Sequence, residues 1–204
     1  MCKERYVIAV AAPVGGGKTT LVNGLAKALN GACTIHFDHY EQLTELPVKD
    51  VNEDDLFAHY RLPRLASDLK RLKRGLSIVD PGSGEEIDSA RYIILELPLG
   101  RRLQDTAQLL DFVIWIDTPL DAALARKIRA FTLDVRASSQ AGESQAFVNW
   151  LFGYLDSYLS DTRLLLESQQ QLVAADADLR LNGLEQPDSL LQKALVAIRE
   201  RCAP

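Results

Sequence analysis

The stretch Ala12-Pro13-Val14-Gly15-Gly16-Gly17-Lys18-Thr19 lies between an apolar run and a helical pattern, and no other part of the chain constrains the fold as tightly. Before it, Tyr6-Val7-Ile8-Ala9-Val10-Ala11 has the length and continuity of one strand covered on both faces. After it, Leu21, Leu25, Ala28 and Leu29 recur at helical spacing. A glycine-rich turn between strand and helix lets successive backbone N–H groups converge on one point, where the helix N-terminus adds partial positive charge. That is a phosphate-binding loop of the form G-x-x-x-x-G-K-S/T. In it Lys18 reaches the β- and γ-phosphates, the Thr19 hydroxyl sits on Mg²⁺, and Pro13, Val14, Gly15, Gly16, Gly17 and Thr20 complete the cradle. Alanine at position 12 replaces the pattern's first glycine. It costs about 1 kcal/mol or more only where a positive φ is required. The three glycines before Lys18 keep the turn permissive.

Strands alternate with helices along the rest of the chain. Strands are expected at 5–11, 33–37, 92–96 and 112–117, with a weaker fifth at 178–181. Pro63 opens a helix carrying Leu65, Leu69 and Leu72, and Gly75 closes it. Thr118-Pro119 caps a second helix with Leu120, Leu124 and Ile128 on one face. Pro187-Asp188-Ser189 begins the last, with Leu191, Leu195 and Ile198. Asp80-Pro81-Gly82-Ser83-Gly84 reads as the turn of a small hairpin. Residues 137–145 are small and polar and read as a mobile loop within a lid over about 126–146. The expected fold is α/β: a three-layer sandwich of the P-loop NTPase type, with a five-stranded parallel sheet, helices on both faces and the lid, in a single domain over 1–204.

Composition excludes several classes. A net charge of −5 leaves no basic footprint for nucleic acid. No apolar run approaches the roughly 20 residues that span a bilayer, and Met1-Cys2-Lys3-Glu4-Arg5 makes a poor signal peptide. Cys2, Cys33 and Cys202 share neither metal spacing nor a disulfide pattern, and read as reduced thiols of a cytoplasmic protein. A homodimer is compatible with the chain.

In an open α/β sheet, ligands bind beyond the carboxyl ends of the strands. Asp38, Glu96 and Asp117 stand at three such ends. Asp38 is the candidate general base. Glu96 closes a strongly apolar strand, where a carboxylate is costly without a partner; it suits Mg²⁺ or a substrate hydroxyl. Asp117, in Asp-Thr-Pro, reads first as a turn and cap. Arg126, Lys127, Arg129 and Arg136 flank the lid loop, where positive charge stabilises a phosphoryl group in transit. His39 and Tyr40 are candidates to line a substrate pocket, with an exposed loop the equal alternative for His39. His36, His39 and His59 share no metal-ligand spacing. Phe147, Trp150, Phe152, Tyr154 and Tyr158 share one helix, read as core packing ahead of a stacking platform.

Together these positions resemble the uridine kinase family, with its nicotinamide riboside kinase and phosphoribulokinase relatives. The resemblance rests on Ala12 to Thr20, His36-Phe37-Asp38-His39-Tyr40, residues 69–75, Ile93-Ile94-Leu95-Glu96, Asp117-Thr118-Pro119, Arg126-Lys127-Ile128-Arg129 and residues 177–183, in the family's order. It implies an ATP- and Mg²⁺-dependent kinase of a small hydroxylated molecule, with Asp38 as base and Glu96 organising metal and substrate. It further implies that Arg126 and Arg129 meet ATP phosphates and that Asn182-Gly183-Leu184 lies near adenine. Leu97-Pro98 stands where the family commonly has glycine, so the resemblance does not name the acceptor. The rival class is a nucleotide-dependent regulatory switch with slow hydrolysis, but the chain lacks an Asn-Lys-x-Asp motif and an Asp-x-x-Gly after Glu96. A nucleoside-monophosphate kinase would need more basic residues than surround Asp38.

Overall fold

A computed structural model describes residues 4–43, 57, 60–138 and 143–202, without the side chains of 134–138 and 143–144. The expected mobile loop therefore lies partly outside the described residues, as do His59 and the Arg136 side chain.

Five strands form one parallel sheet: β1 (Tyr6–Ala11), β2 (Ala32–His36), β5 (Tyr92–Glu96), β6 (Phe112–Asp117) and β7 (Leu179–Asn182). Their spatial order is β2-β5-β1-β6-β7, with Val10 opposite Glu96 and Ile114. β1 is central, and Val7 to Ala11 are fully buried. The two-residue period of a strand splits its side chains between two layers. Val7 and Ala9 join Ile35, Ile93, Leu95 and Val113 under Leu65, Leu69 and Leu72 of α2 (Pro63–Lys73). Ile8 and Val10 join Ile94, Ile114 and Ile116 under Leu21, Val22 and Leu25 of α1 (Lys18–Ala28) and Leu195 and Ile198 of α7 (Pro187–Arg201). Each buried Val, Leu or Ile side chain among them contributes about 1.5–3 kcal/mol by leaving water.

At the amino edge of the sheet, two carboxylates take up strand amides that the ladder leaves free. Asp111 accepts from the Val7 amide at 2.7 Å and from Lys73 at 2.8 Å. Asp178 accepts from the Val113 amide at 2.7 Å and from Arg101 at 2.6 Å. That edge is closed, and the carboxyl edge is left for ligands.

The expected elements and those found agree closely, with a few differences. The hairpin is present as β3 (Ile78–Val79) and β4 (Glu86–Ile87). In α7 the buried residue is Leu190 rather than Leu191, which packs less deeply, against Gly24. Of the segment 137–145 read as a loop, the ends belong to helices, since α4 runs Leu120–Ser138 and α5 Glu143–Ser157, and 139–142 lie outside the described residues. Short polar side chains do not prevent a helix that neighbouring turns continue. After a short α3 (Gln104–Ala107) and a π-turn at Tyr158–Thr162, α6 (Arg163–Ala175) packs Val173 and Ala174 on Ala11 and Trp115. The aromatic residues after the lid are not a core stripe. Phe131, Trp150 and Tyr154 stack in series between α4 and α5, with centroids 3.8 and 5.1 Å apart, while Phe152 faces solvent. Cys33 and Cys202 are free thiols, and burial pushes Cys33 up to about 11.

Candidate functional site

The turn between β1 and α1 is shaped by two left-handed glycines, Gly15 (φ 78°) and Gly17 (φ 99°). Gly17 is also the residue that caps α1. Space demands glycine as well. A Cβ on Gly15 would run into the carbonyl of Ala123 in α4, and one on Gly16 would lie 2.8 Å from both Ala12 Cβ and Pro13 O. Alanine at position 12 is fully buried, so its methyl group is part of the packing beneath the turn. Thr118, just past β6, donates its hydroxyl to Gly16 O at 3.0 Å and fastens the turn to the sheet. Thr118 in turn crowds Gly183, where a Cβ would collide with its hydroxyl. Gly183 donates its amide to Asp117 O at 2.8 Å and accepts from Arg126 at 3.0 Å.

Lys18 donates to Ala12 O at 3.1 Å and Pro13 O at 3.3 Å. Burial holds its ammonium below the usual lysine range; the carboxylates of Glu96 and Asp38 pull it back up, and the charge of Lys127 adds to the lowering. Three charges from three other parts of the chain thus act on the Lys18 ammonium.

Glu96 is buried at the end of β5. Thr19 Oγ1 lies 3.1 Å from each of its carboxylate oxygens, and His36 Nδ1 lies 3.3 Å from Oε2. A hydroxyl and a carboxylate this close offer hard oxygen donors, which suit Mg²⁺ completed by phosphate oxygens and water. Among the described residues no three His, Cys, Asp or Glu side chains form a cage of their own.

These residues line one cleft of about 1200 Å³. Its walls include Val14 to Thr20, Phe37, Asp38, Tyr60, Glu96, Leu99, Arg126, Lys127, Leu165, Gly183 and Leu184. Asp38 is exposed on the 3₁₀ turn Phe37–His39 that follows β2.

Five residues singled out in the sequence do not line the cleft. Pro13 is buried behind the loop and contributes its carbonyl. Arg129 is exposed on α4 and does not line the cleft, although Lys127 and Ala130 on either side of it do. His39 turns away to pair with Asp80 at 2.8 Å. Tyr40 is fully buried and donates to Asp68 at 3.0 Å, so it belongs to the core. Asp117 is exposed and accepts at 3.4 Å from the indole of Trp115.

Two further residues line the cleft: Gln169, which no sequence signal marks, and Tyr154, which the sequence offered only within an aromatic helix. Gln169 of α6 is buried and donates to Pro98 O at 2.7 Å and Ala12 O at 3.4 Å. Tyr154 of α5 also lines the cleft, and burial raises its hydroxyl above the usual tyrosine range.

No protein-family model and no curated protein matches the chain. Solved structures do. The chain is similar to a possible uridine kinase from Bacillus stearothermophilus, with TM-score 0.54 and 14% identity over 89% of this chain and 91% of that one. The chain has the P-loop NTPase fold. It is also similar to the tunicamycin resistance protein of Deinococcus radiodurans, with TM-score 0.52 and 14% identity over 96% of each chain. Shikimate kinase from Acinetobacter baumannii, in complex with shikimate, gives TM-score 0.51 and 14% identity over 99% of this chain and 97% of that one. At such identities the likeness extends to the fold and no further. Among the described residues no helix is long and apolar enough to cross a membrane.

Proposed function

We propose that this protein is an ATP-dependent kinase that transfers the γ-phosphate to a hydroxyl of a nucleoside, sugar or related metabolite. The observation that carries the reading is the shared position of Lys18, Glu96 and Asp38. One cleft holds all three, and both carboxylates act on the Lys18 ammonium. The solved structures of similar fold include small-molecule kinases, which supports the same reading.

In this proposal Lys18 and the loop from Val14 to Thr20 bind the phosphates of ATP, and Gly183 and Leu184 border the adenine. Thr19 and Glu96 hold Mg²⁺, which supplies neutralisation of charge on the β- and γ-phosphates. Arg126 is held by Gly183 O beside the phosphate loop and contributes positive charge there. Asp38 orients the acceptor hydroxyl and takes its proton as the new oxygen–phosphorus bond forms. The bond from the γ-phosphorus to the bridging oxygen breaks, and ADP keeps the electron pair. Catalysis of this kind is mainly positioning and electrostatic stabilisation. Asp38 suits the base role because its carboxylate is exposed at the cleft on the turn that follows β2.

The test is ATP consumption with Mg²⁺ across hydroxylated metabolites, run with wild type and Lys18→Ala in parallel. One acceptor that raises turnover well above background, with loss in the variant, is the expected result. Hydrolysis that depends on Lys18 but is indifferent to every acceptor would instead favour a nucleotide-dependent switch.

A further inference from the structure

Thr118 joins the phosphate loop to two segments far from it in sequence. Its side chain is fully buried, and it does not itself line the cleft. The hydroxyl donates to Gly16 O at 3.0 Å. The backbone is held as well: its carbonyl accepts from Gln170 of α6 at 3.1 Å, and its amide donates to Ile116 O at 3.1 Å. Gly183 packs so closely that a Cβ there would collide with the Thr118 hydroxyl. Held on these sides, the hydroxyl has a set direction.

The bond to Gly16 O does more than attach the loop. The peptide between Gly16 and Gly17 is trans and planar, so Gly16 C=O and Gly17 N–H point in opposite directions. The carbonyl faces the buried Thr118. The Gly17 N–H is therefore turned the other way, to the side where Gly15, Gly16 and Gly17 border the cleft. Space is open at that residue, since a Cβ on Gly17 would meet nothing within 4 Å. A peptide between two glycines has no Cβ on either side to restrict its rotation. A hydrogen bond to its oxygen then decides which way it faces.

Resting on the kinase reading above, we propose that Thr118 is a positioning residue for the nucleotide phosphates: by holding Gly16 O from behind the loop, it aims the Gly17 N–H at a phosphate oxygen. Thr118 acts only through that peptide. Without the hydroxyl, the Gly16 carbonyl is left buried and unpaired, and the peptide gains from turning away.

The test titrates ATP and inorganic tripolyphosphate, each with Mg²⁺, into wild type, Thr118→Val and Thr118→Ser by calorimetry. Tripolyphosphate carries the phosphates without base or sugar. Valine keeps the branched shape and removes the donor, whereas serine keeps the donor. Thr118→Val should bind both probes roughly tenfold more weakly, and Thr118→Ser should stay close to wild type. In the wild-type protein, tripolyphosphate should strongly shift the amide resonance of Gly17, a readout that needs no variant to fold. Unchanged affinity in Thr118→Val, a loss confined to ATP, a loss in Thr118→Ser as large as in Thr118→Val, or a Gly17 amide that tripolyphosphate does not move overturns the inference and leaves the kinase reading standing. Wild type that binds neither probe overturns the kinase reading and this inference with it.

Discussion

His39 Nδ1 lies 2.8 Å from Asp80 Oδ1, and through that pair the β3–β4 hairpin holds the turn that carries Asp38. The same Asp80 oxygen accepts from the amides of Gly82 at 2.9 Å and Ser83 at 2.8 Å, so it organises the hairpin tip as well. A small structure remote from the phosphate loop is thereby tied to the candidate base.

Gly82 is the point of closest approach. A Cβ there would lie 2.5 Å from His39 Cγ and 2.7 Å from His39 Cβ. Gly82→Ala should push the hairpin away from the turn, costing about 1–3 kcal/mol as other overpacked sites do. If the tie positions Asp38, turnover should fall more than ATP affinity does. Chemical denaturation, kcat and nucleotide titration of the variant measure the three quantities.

The same carboxylate gives a pH dependence. Burial works to raise the pKa of Asp80, but the Ser83 amide, His39 and the Gly82 amide outweigh it and leave the group below its usual value. The stability it contributes is then present above the unfolded value of about 3.9 and lost as pH falls through the lower folded value. Denaturation from pH 7 to pH 3 should show wild type losing stability along this limb. Asp80→Asn should be less stable at pH 7 and flatter across the limb. A variant curve parallel to wild type would mean that Asp80 is not the source.

Thr19 and Glu96 make a separable prediction. The hydroxyl is 3.1 Å from both carboxylate oxygens. Glu96→Gln keeps the shape but removes the charge, so the Mg²⁺ concentration at half-maximal turnover should rise roughly 10- to 100-fold. Thr19→Ser should stay near wild type. Titrating Mg²⁺ at saturating ATP distinguishes this effect from a general loss of activity.

Asp38→Asn should retain ATP binding and lose roughly 100- to 10,000-fold in kcat with an acceptor present. Isothermal titration with a non-hydrolysable ATP analogue and steady-state kinetics supply the two numbers. Unchanged kcat would remove Asp38 from the role of base.

How much of this was legible in the sequence follows the range of the forces involved. Strand β1, the loop and the face of α2 are local patterns, and they appear where the residues predict them. Asp38 and Glu96 were readable because strand ends at one edge of a parallel sheet share a side. Tyr40 was misleading. Two residues along a tight turn from Asp38 the backbone has rotated, and its ring falls into the core beside Asp68. Gln169 was not readable at all. It is one of three consecutive glutamines, and only the packing of α6 over the ends of β1 and β5 selects it, 157 positions from Ala12. For 137–145 the polar composition did not show that α4 continues to Ser138 and that α5 begins at Glu143.

Lys18 yields a prediction in which function and stability oppose each other. Burial is the main reason its ammonium titrates below the usual lysine range, and Glu96 and Asp38 offset only part of that. A lysine with a lowered folded-state value binds fewer protons in the native than in the unfolded chain. Its charge therefore weighs against folding. The penalty is fully present below the folded value and is relieved as pH rises from there towards the unfolded value of about 10.4. Lys18→Met retains the aliphatic stem and removes the charge. It should abolish turnover and yet melt at or above the wild-type temperature at pH 7, and the gap should shrink as the pH approaches 10. A variant that is both inactive and clearly less stable at pH 7 would mean that the bonds to Ala12 O and Pro13 O outweigh desolvation. The loop would then need its lysine for folding as well as for phosphate.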